Sequence, residues 1–109
     1  MQKTLTFNEL LAIISQRIAD GKKDSYCYEI AENGVEKICR KIGEEAVEVL
    51  IAAFIAEREN DKKSHEELVG EICDLFFHTL ILMAQKNVTM EEILQEFAKR
   101  NNKNDARKN

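Results

Sequence analysis

The run Ile72-Cys73-Asp74-Leu75-Phe76-Phe77-His78-Thr79-Leu80-Ile81-Leu82-Met83-Ala84 decides the fold class. Leu75, Phe76, Phe77, Leu80, Ile81, Leu82 and Met83 point in nearly every direction of a helical wheel. A helix that is apolar all round is buried all round. A chain of 109 residues has too few other helices to surround it. The simplest cover is a second copy, so a homo-oligomer, at least a dimer, is expected with this helix at its centre.

Capping signals mark the elements on either side. Ser64 with Glu67 has the spacing of a capping box and is expected to open this fourth helix, which runs to about Lys86. Before it, Val35 to Glu59 carries Val35, Ile38, Ile42, Ala46, Val49 and Ala53 on one side and ends at the polar break 60–63. Thr6 with Glu9 opens a first helix, whose stripe Phe7, Leu10, Leu11, Ile14 and Ile18 stops near Asp20 and Gly21. Ser25 caps a short segment, Tyr26 to Glu32, closed by Asn33 and Gly34. Thr89 with Glu92 opens a fifth helix that ends near Arg100. The chain has no proline and only four glycines, which favours long uninterrupted helices. The expectation is an all-α bundle of about five helices in one domain, residues 1–100, completed by homodimerisation. Residues 101–109 read as a polar, disordered tail.

Composition narrows the function. With 44% apolar and 33% charged residues the chain is globular rather than disordered. A net charge of −4 argues against nonspecific nucleic-acid binding, which rests on basic patches. No apolar run is long enough to span a membrane and no signal peptide precedes the first helix, so a cytoplasmic location is expected. Cys27, Cys39 and Cys73 match no zinc or redox spacing and are expected to be small core residues of a reducing cytosol. Asn87-Val88-Thr89 fits a glycosylation sequon, but Thr89 reads as a helix cap.

The acids carry the chemical signal. On the third helix Glu45 lies about 60° from the centre of the apolar stripe, with Glu48 about 60° further round and Glu44 beside it. On the fourth, Glu71 lies about 60° from the stripe through Leu68, Ile72, Leu75 and Thr79, and Asp74 again about 60° beyond. One acid pair on a helix is more often a solvated face than a site. Two matched pairs at i, i+3, each on the border of a buried face, point elsewhere. Antiparallel packing brings Glu45 and Glu48 opposite Glu71 and Asp74. Four crowded carboxylates repel unless cations sit between them. Oxygen-only ligands suit Mg²⁺ or Mn²⁺, and Mg²⁺ so held keeps positions open for water and phosphates.

Glu44-Glu45-Ala46-Val47-Glu48, followed by Glu71-Ile72-Cys73-Asp74, resembles the metal motif of the all-α, MazG-like nucleotide pyrophosphohydrolases. Within that superfamily the chain is most similar to the phosphoribosyl-ATP pyrophosphatase family of histidine biosynthesis. Three stretches carry the likeness: Ser25-Tyr26 after an early Arg17, Lys41 to Glu48, and Asp74-Leu75-Phe76-Phe77-His78. It covers about residues 7–100. Cys27 and Phe77 stand where the family usually has the hydroxyl residues Thr and Tyr, and Gly70 and Cys73 where Glu and Ala are common. The resemblance implies hydrolysis of phosphoribosyl-ATP to phosphoribosyl-AMP and pyrophosphate, by attack of water at the α–β phosphate linkage. It implies Mg²⁺, or Mn²⁺, on Glu45, Glu48, Glu71 and Asp74. Glu44 would hold a second ion or orient the water, and Lys41 would contact phosphate rather than form only a surface salt bridge. Arg17, Ser25, Tyr26, Lys37, Arg40 and His78 are the implied substrate contacts. Lys22 and Lys23 read as a solvated loop, and Tyr28 as packing.

Three other readings compete. A house-cleaning pyrophosphohydrolase for other nucleotides would share the metal site. A di-iron bundle needs Glu-x-x-His, which neither His65 nor His78 supplies. A non-catalytic helical dimerisation module would gain no stability from divalent metal.

Overall fold

The computed structural model describes residues 2–101. These form five helices: α1 (Phe7–Asp20), α2 (Tyr26–Glu32), α3 (Val35–Glu59), α4 (Lys62–Lys86) and α5 (Met90–Asn101). No strand occurs among the described residues. Asn101 is the last residue of α5; the rest of the expected tail lies outside the described residues. No helix is long and apolar enough to cross a membrane.

Local chemistry sets the boundaries. At α1 the Glu9 amide donates to Thr6 Oγ1 at 3.1 Å and the Thr6 amide to Glu9 Oε1 at 2.9 Å, a complete capping box. Gly21, at φ 65°, ends the helix in the left-handed region. Ser25 caps α2 through the Tyr28 amide. Gly34, at φ 90° and ψ 172°, links α2 to α3 in a conformation that side chains rarely adopt. Thr89 and Glu92 form the reciprocal cap of α5, so Thr89 is the cap its spacing suggested.

The start of α4 differs from the sequence reading. Asp61, not Ser64, is the cap, and the helix begins three residues earlier. Asp61 Oδ1 accepts both the Ser64 amide, at 2.8 Å, and the Ser64 hydroxyl, at 2.7 Å. An ionised carboxylate is the stronger acceptor, so it outcompetes the serine hydroxyl.

α3 and α4, 25 residues each, run back along each other from the tight turn at Asn60 and Asp61. α1, α2 and α5 pack around one end of this hairpin. The core there joins Ile14, Cys27, Ile30, Ile38, Leu80, Ile81, Met83 and Met90. The single chain thus covers more of α4 than the sequence suggested: Ile81 is 0% exposed. The distal half of the hairpin is not covered. Val47, Leu50, Ile51, Phe54 and Val69 are exposed there, Phe54 at 76%. Only Cys27 of the three cysteines is a core residue; Cys39 and Cys73 are exposed.

Candidate metal centre

The hairpin brings α3 and α4 together at the acids. Glu45 faces inward and is only 7% exposed, and its Oε2 has no hydrogen-bond partner. One oxygen each of Glu45, Glu71 and Asp74 lies within 4.8 Å of the others. Burial, then the neighbouring Glu48, Asp74 and Glu71 carboxylates, push the Glu45 carboxyl from 4.5 up to about 7. Glu71 is also raised, by desolvation first and then by Glu48 and Asp74. Glu48 stands at the exposed edge of the group, outside the tight trio, with its carboxylate against Glu45. Three of the four expected ligands therefore converge and the fourth flanks them.

Two oxygens bound to one Mg²⁺ are at most about 4.2 Å apart, twice the metal–oxygen distance. The trio needs only a small inward movement to meet that limit. A buried carboxylate with an orphaned oxygen is costly alone. A divalent cation removes both the orphan and the repulsion, so the residues fit the group.

Lys41 Nζ holds Glu44 Oε1 at 3.3 Å. The Glu44 bond, then the Tyr26 hydroxyl, raise the Lys41 pKa. Glu44 remains largely exposed and outside the acid trio. Arg40 pairs with Glu36 at 3.5 Å on the exposed side of α3, away from the acids. Lys37 is half-buried one turn before Lys41.

His78, one turn beyond Asp74, is buried and bonded on both sides. Its Nδ1–H donates to the Asp74 carbonyl at 2.7 Å. Its Nε2 accepts from the Tyr26 hydroxyl at 2.7 Å. A backbone carbonyl can only accept, so the proton sits on Nδ1 and the acceptor role falls to Nε2. This strut joins Tyr26 of α2 to His78 across 52 positions and, through His78, to the Asp74 backbone. The Tyr26 ring also stacks on Phe77, with centroids 5.9 Å apart and planes at 25°. Burial raises the Tyr26 phenol, and the Lys41, Glu45 and Asp74 charges act on it as well.

Two cavities touch these residues, one at the acids and one at Tyr26 and Phe77. One, of about 440 Å³, lies in the α3–α4 groove against Ser64, Glu67, Glu71 and Asp74. The other, of about 580 Å³, lies between the end of α1 and the start of α2. It gathers Arg17, Ser25 and Tyr26, and adds Gln16, Asp20, Lys22 and Asp24, which the sequence reading did not place in a site. Only the α1–α2 packing makes them neighbours.

Known proteins are similar to this chain over most of its length. The phosphoribosyl-ATP pyrophosphohydrolase family matches residues 7–101. The phosphoribosyl-ATP pyrophosphatase of Clostridium acetobutylicum is 39% identical over 103 residues, 94% of this chain and 87% of its own length. That of Bacillus cereus is 40% identical over 98 residues, 90% of this chain and 85% of its own. The Pyrobaculum aerophilum protein of the same name is 39% identical over 94 residues, 86% of this chain and 93% of its own. A match of this extent, over the whole helical body and both acid pairs, places the chain in the phosphoribosyl-ATP pyrophosphohydrolase family.

Proposed function

We propose that this chain is a hydrolase that converts phosphoribosyl-ATP into phosphoribosyl-AMP and pyrophosphate, an early step of histidine biosynthesis, in the cytoplasm. The observation that carries the reading is Glu45: a buried carboxyl with an unpartnered oxygen, turned toward Glu71 and Asp74. Glu45, Glu71 and Asp74 would hold Mg²⁺, or Mn²⁺, with Glu48 closing the site from its exposed edge. Such a metal supplies charge neutralisation for the polyphosphate and for the pyrophosphate leaving group. The chain's own groups do the rest. Lys41, bonded to Glu44 and within the influence of Tyr26 and Glu45, offers a cation beside the acids. Glu44, held by Lys41, would orient the attacking water. His78 fixes the Tyr26 hydroxyl and the Asp74 backbone, and is a positioning residue. Lys37 and Arg40, lying further along α3, fit long-range attraction of the substrate better than contact with the cleaved bond.

Residues 1–100 are proposed to act as one hydrolase domain, and as a homodimer. The apolar row Val47, Leu50, Ile51 and Phe54 on the distal half of α3 is the surface that a second copy would cover. This moves the expected interface from the centre of α4 toward α3.

The test is product analysis with phosphoribosyl-ATP and Mg²⁺. Pyrophosphate release that stops in excess chelator is expected. Release of orthophosphate instead, or full activity in chelator, would overturn the reading. Faster turnover of common nucleoside triphosphates than of phosphoribosyl-ATP would favour the house-cleaning alternative.

A further inference from the structure

We infer that the cavity between α1 and α2 is the subsite for the ribosyl phosphate at the far end of the substrate, with Arg17 as its specificity-determining cation. The inference rests on the hydrolase reading above and adds to it which part of the substrate goes where.

The substrate has two anionic ends. One is the triphosphate that is cleaved; the other is a phosphomonoester on a second ribose, across the base. On that reading the triphosphate belongs at the acid centre, beside the candidate metal ligands and Lys41. The second phosphate then needs a cationic pocket reached from that centre. Of the two cavities, the one in the α3–α4 groove is lined by Glu67, Glu71 and Asp74 and by no cation. It repels a further anion. The α1–α2 cavity holds Arg17 and Lys22. Among the described residues neither of these cations forms an ion pair, unlike Lys41, Arg40 and Arg58. Burial raises the Cys27 thiol, and Arg17 lowers it in part through its charge and a side-chain hydrogen bond, which sets the guanidinium against the cavity wall.

Tyr26 joins the two places. It lines the α1–α2 cavity, and its hydroxyl lies in the field of Lys41, Glu45 and Asp74. The cavity wall is thus tied, through the Tyr26–His78 bond, to the residue one turn beyond Asp74. Its volume, about 580 Å³, suits a nucleotide-sized fragment. Its stacked Tyr26 and Phe77 rings offer a flat apolar wall beside the entry.

The mixture of charges decides the ligand class. Asp20 and Asp24 share the cavity with the cations. Carboxylates repel a bare polyphosphate but accept hydrogen bonds from sugar hydroxyls. Asp20 is held by Gln16 Nε2 at 2.7 Å, so it is oriented rather than free to swing. The Ser25 hydroxyl accepts the Tyr28 amide and keeps its own O–H to donate. Guanidinium for phosphate and acids for the diol together match a phosphorylated sugar. A guanidinium fork binds phosphate with two parallel bonds, which lysine cannot reproduce.

The experiment titrates the full chain, with Mg²⁺, against phosphoribosyl-AMP and against AMP, which lacks the ribosyl phosphate. The wild type should bind phosphoribosyl-AMP at least about tenfold more tightly, as one charge-assisted contact allows. Arg17→Met should remove most of that ratio through phosphoribosyl-AMP alone, and Arg17→Lys should restore it only in part. Lys22→Gln, on the exposed loop, is the second variant and should lower the same ratio by a smaller factor. Equal affinities in the wild type, or an Arg17→Met that weakens both ligands alike, would overturn the subsite. If the wild type releases pyrophosphate from phosphoribosyl-ATP while Arg17→Met leaves the ratio intact, the subsite falls alone. If the wild type releases none, the hydrolase reading falls and the subsite with it.

Discussion

Glu45→Gln separates the cost of the acid centre from its use. In the metal-free protein the Glu45 carboxyl titrates at about 7, against 4.5 for the ordinary group. The folded state therefore holds a proton that the unfolded chain has already lost between these two values. Stability falls as pH rises through that window, and above it the ionised Glu45 weighs against the fold. The difference corresponds to up to about 3 kcal/mol, and about 2 kcal/mol after allowance for water at the open side of the site. Glutamine keeps the shape, removes the charge, and can donate to the Glu48 carboxylate. In excess chelator at pH 8 the variant should be more stable by about 2 kcal/mol, which for a domain this size raises the melting temperature by roughly 10 °C. At pH 4.5 the two proteins should melt alike. With Mg²⁺ the order reverses in function: the wild type gains stability by mass action, while the variant gains little and loses more than about a hundredfold in turnover. Calorimetric melts at both pH values, with and without Mg²⁺, check each arm. A variant no more stable than wild type at pH 8, with an unchanged pH profile, would refute the account of Glu45 as an uncompensated buried acid.

Tyr26→Phe removes one hydroxyl and leaves the buried His78 Nε2 without its donor, so stability should drop by about 1–3 kcal/mol, seen in denaturant melts, with a loss in kcat larger than the change in KM. Phe54→Ser should abolish self-association in sedimentation while the monomer stays folded, because Phe54 is exposed; Ile81→Asp should unfold the chain outright, since Ile81 lies in the core. Gly34→Ala should cost about 1–3 kcal/mol in denaturant melts, through its φ of 90° and not through a clash, as the space around it is open.

Most of the element map was legible because caps are local. Thr6 with Glu9, Ser25, and the turns after Glu32 and Glu59 each write a boundary in four residues. The start of α4 was misplaced because two acceptors lie three positions apart, and spacing alone does not rank a carboxylate above a hydroxyl. Burial was harder. The stripe drawn on α3 through Val35 and Ala53 includes exposed residues, and the true inward positions are Ile38, Glu45 and Ala52. An apolar row cannot announce whether its own chain or another copy will cover it, which is why Val47, Leu50 and Phe54 were passed over. The same limit hid the fates of the cysteines: Cys39 and Cys73 are small enough for either environment. In the site, the acid pairs were readable because each sits within a single helix. The Tyr26–His78 bond and the Arg17 cavity join residues of different helices, and no local pattern encodes such a meeting.

The position of the acids in the hairpin follows from these same forces. At the core end, α3 and α4 are held by Ile38, Leu80 and Ile81 against α1, α2 and α5. A carboxyl group placed there would be surrounded on every side and reached by no substrate. At the far end, Phe54 and its neighbours form an exposed apolar row, which an acid group there would interrupt. Glu45, Glu71 and Asp74 occupy the border between the two. On one side the packed end fixes them, through His78 bonded to the Asp74 carbonyl. On the other side Glu48 and Asp74 remain open to solvent and to an arriving phosphate chain. Crowding acids at this border is unfavourable for the empty fold, as the raised Glu45 and Glu71 carboxyls record. On the proposed reading that same repulsion would give a divalent cation its hold, and through it an acidic chain would receive a substrate more acidic than itself.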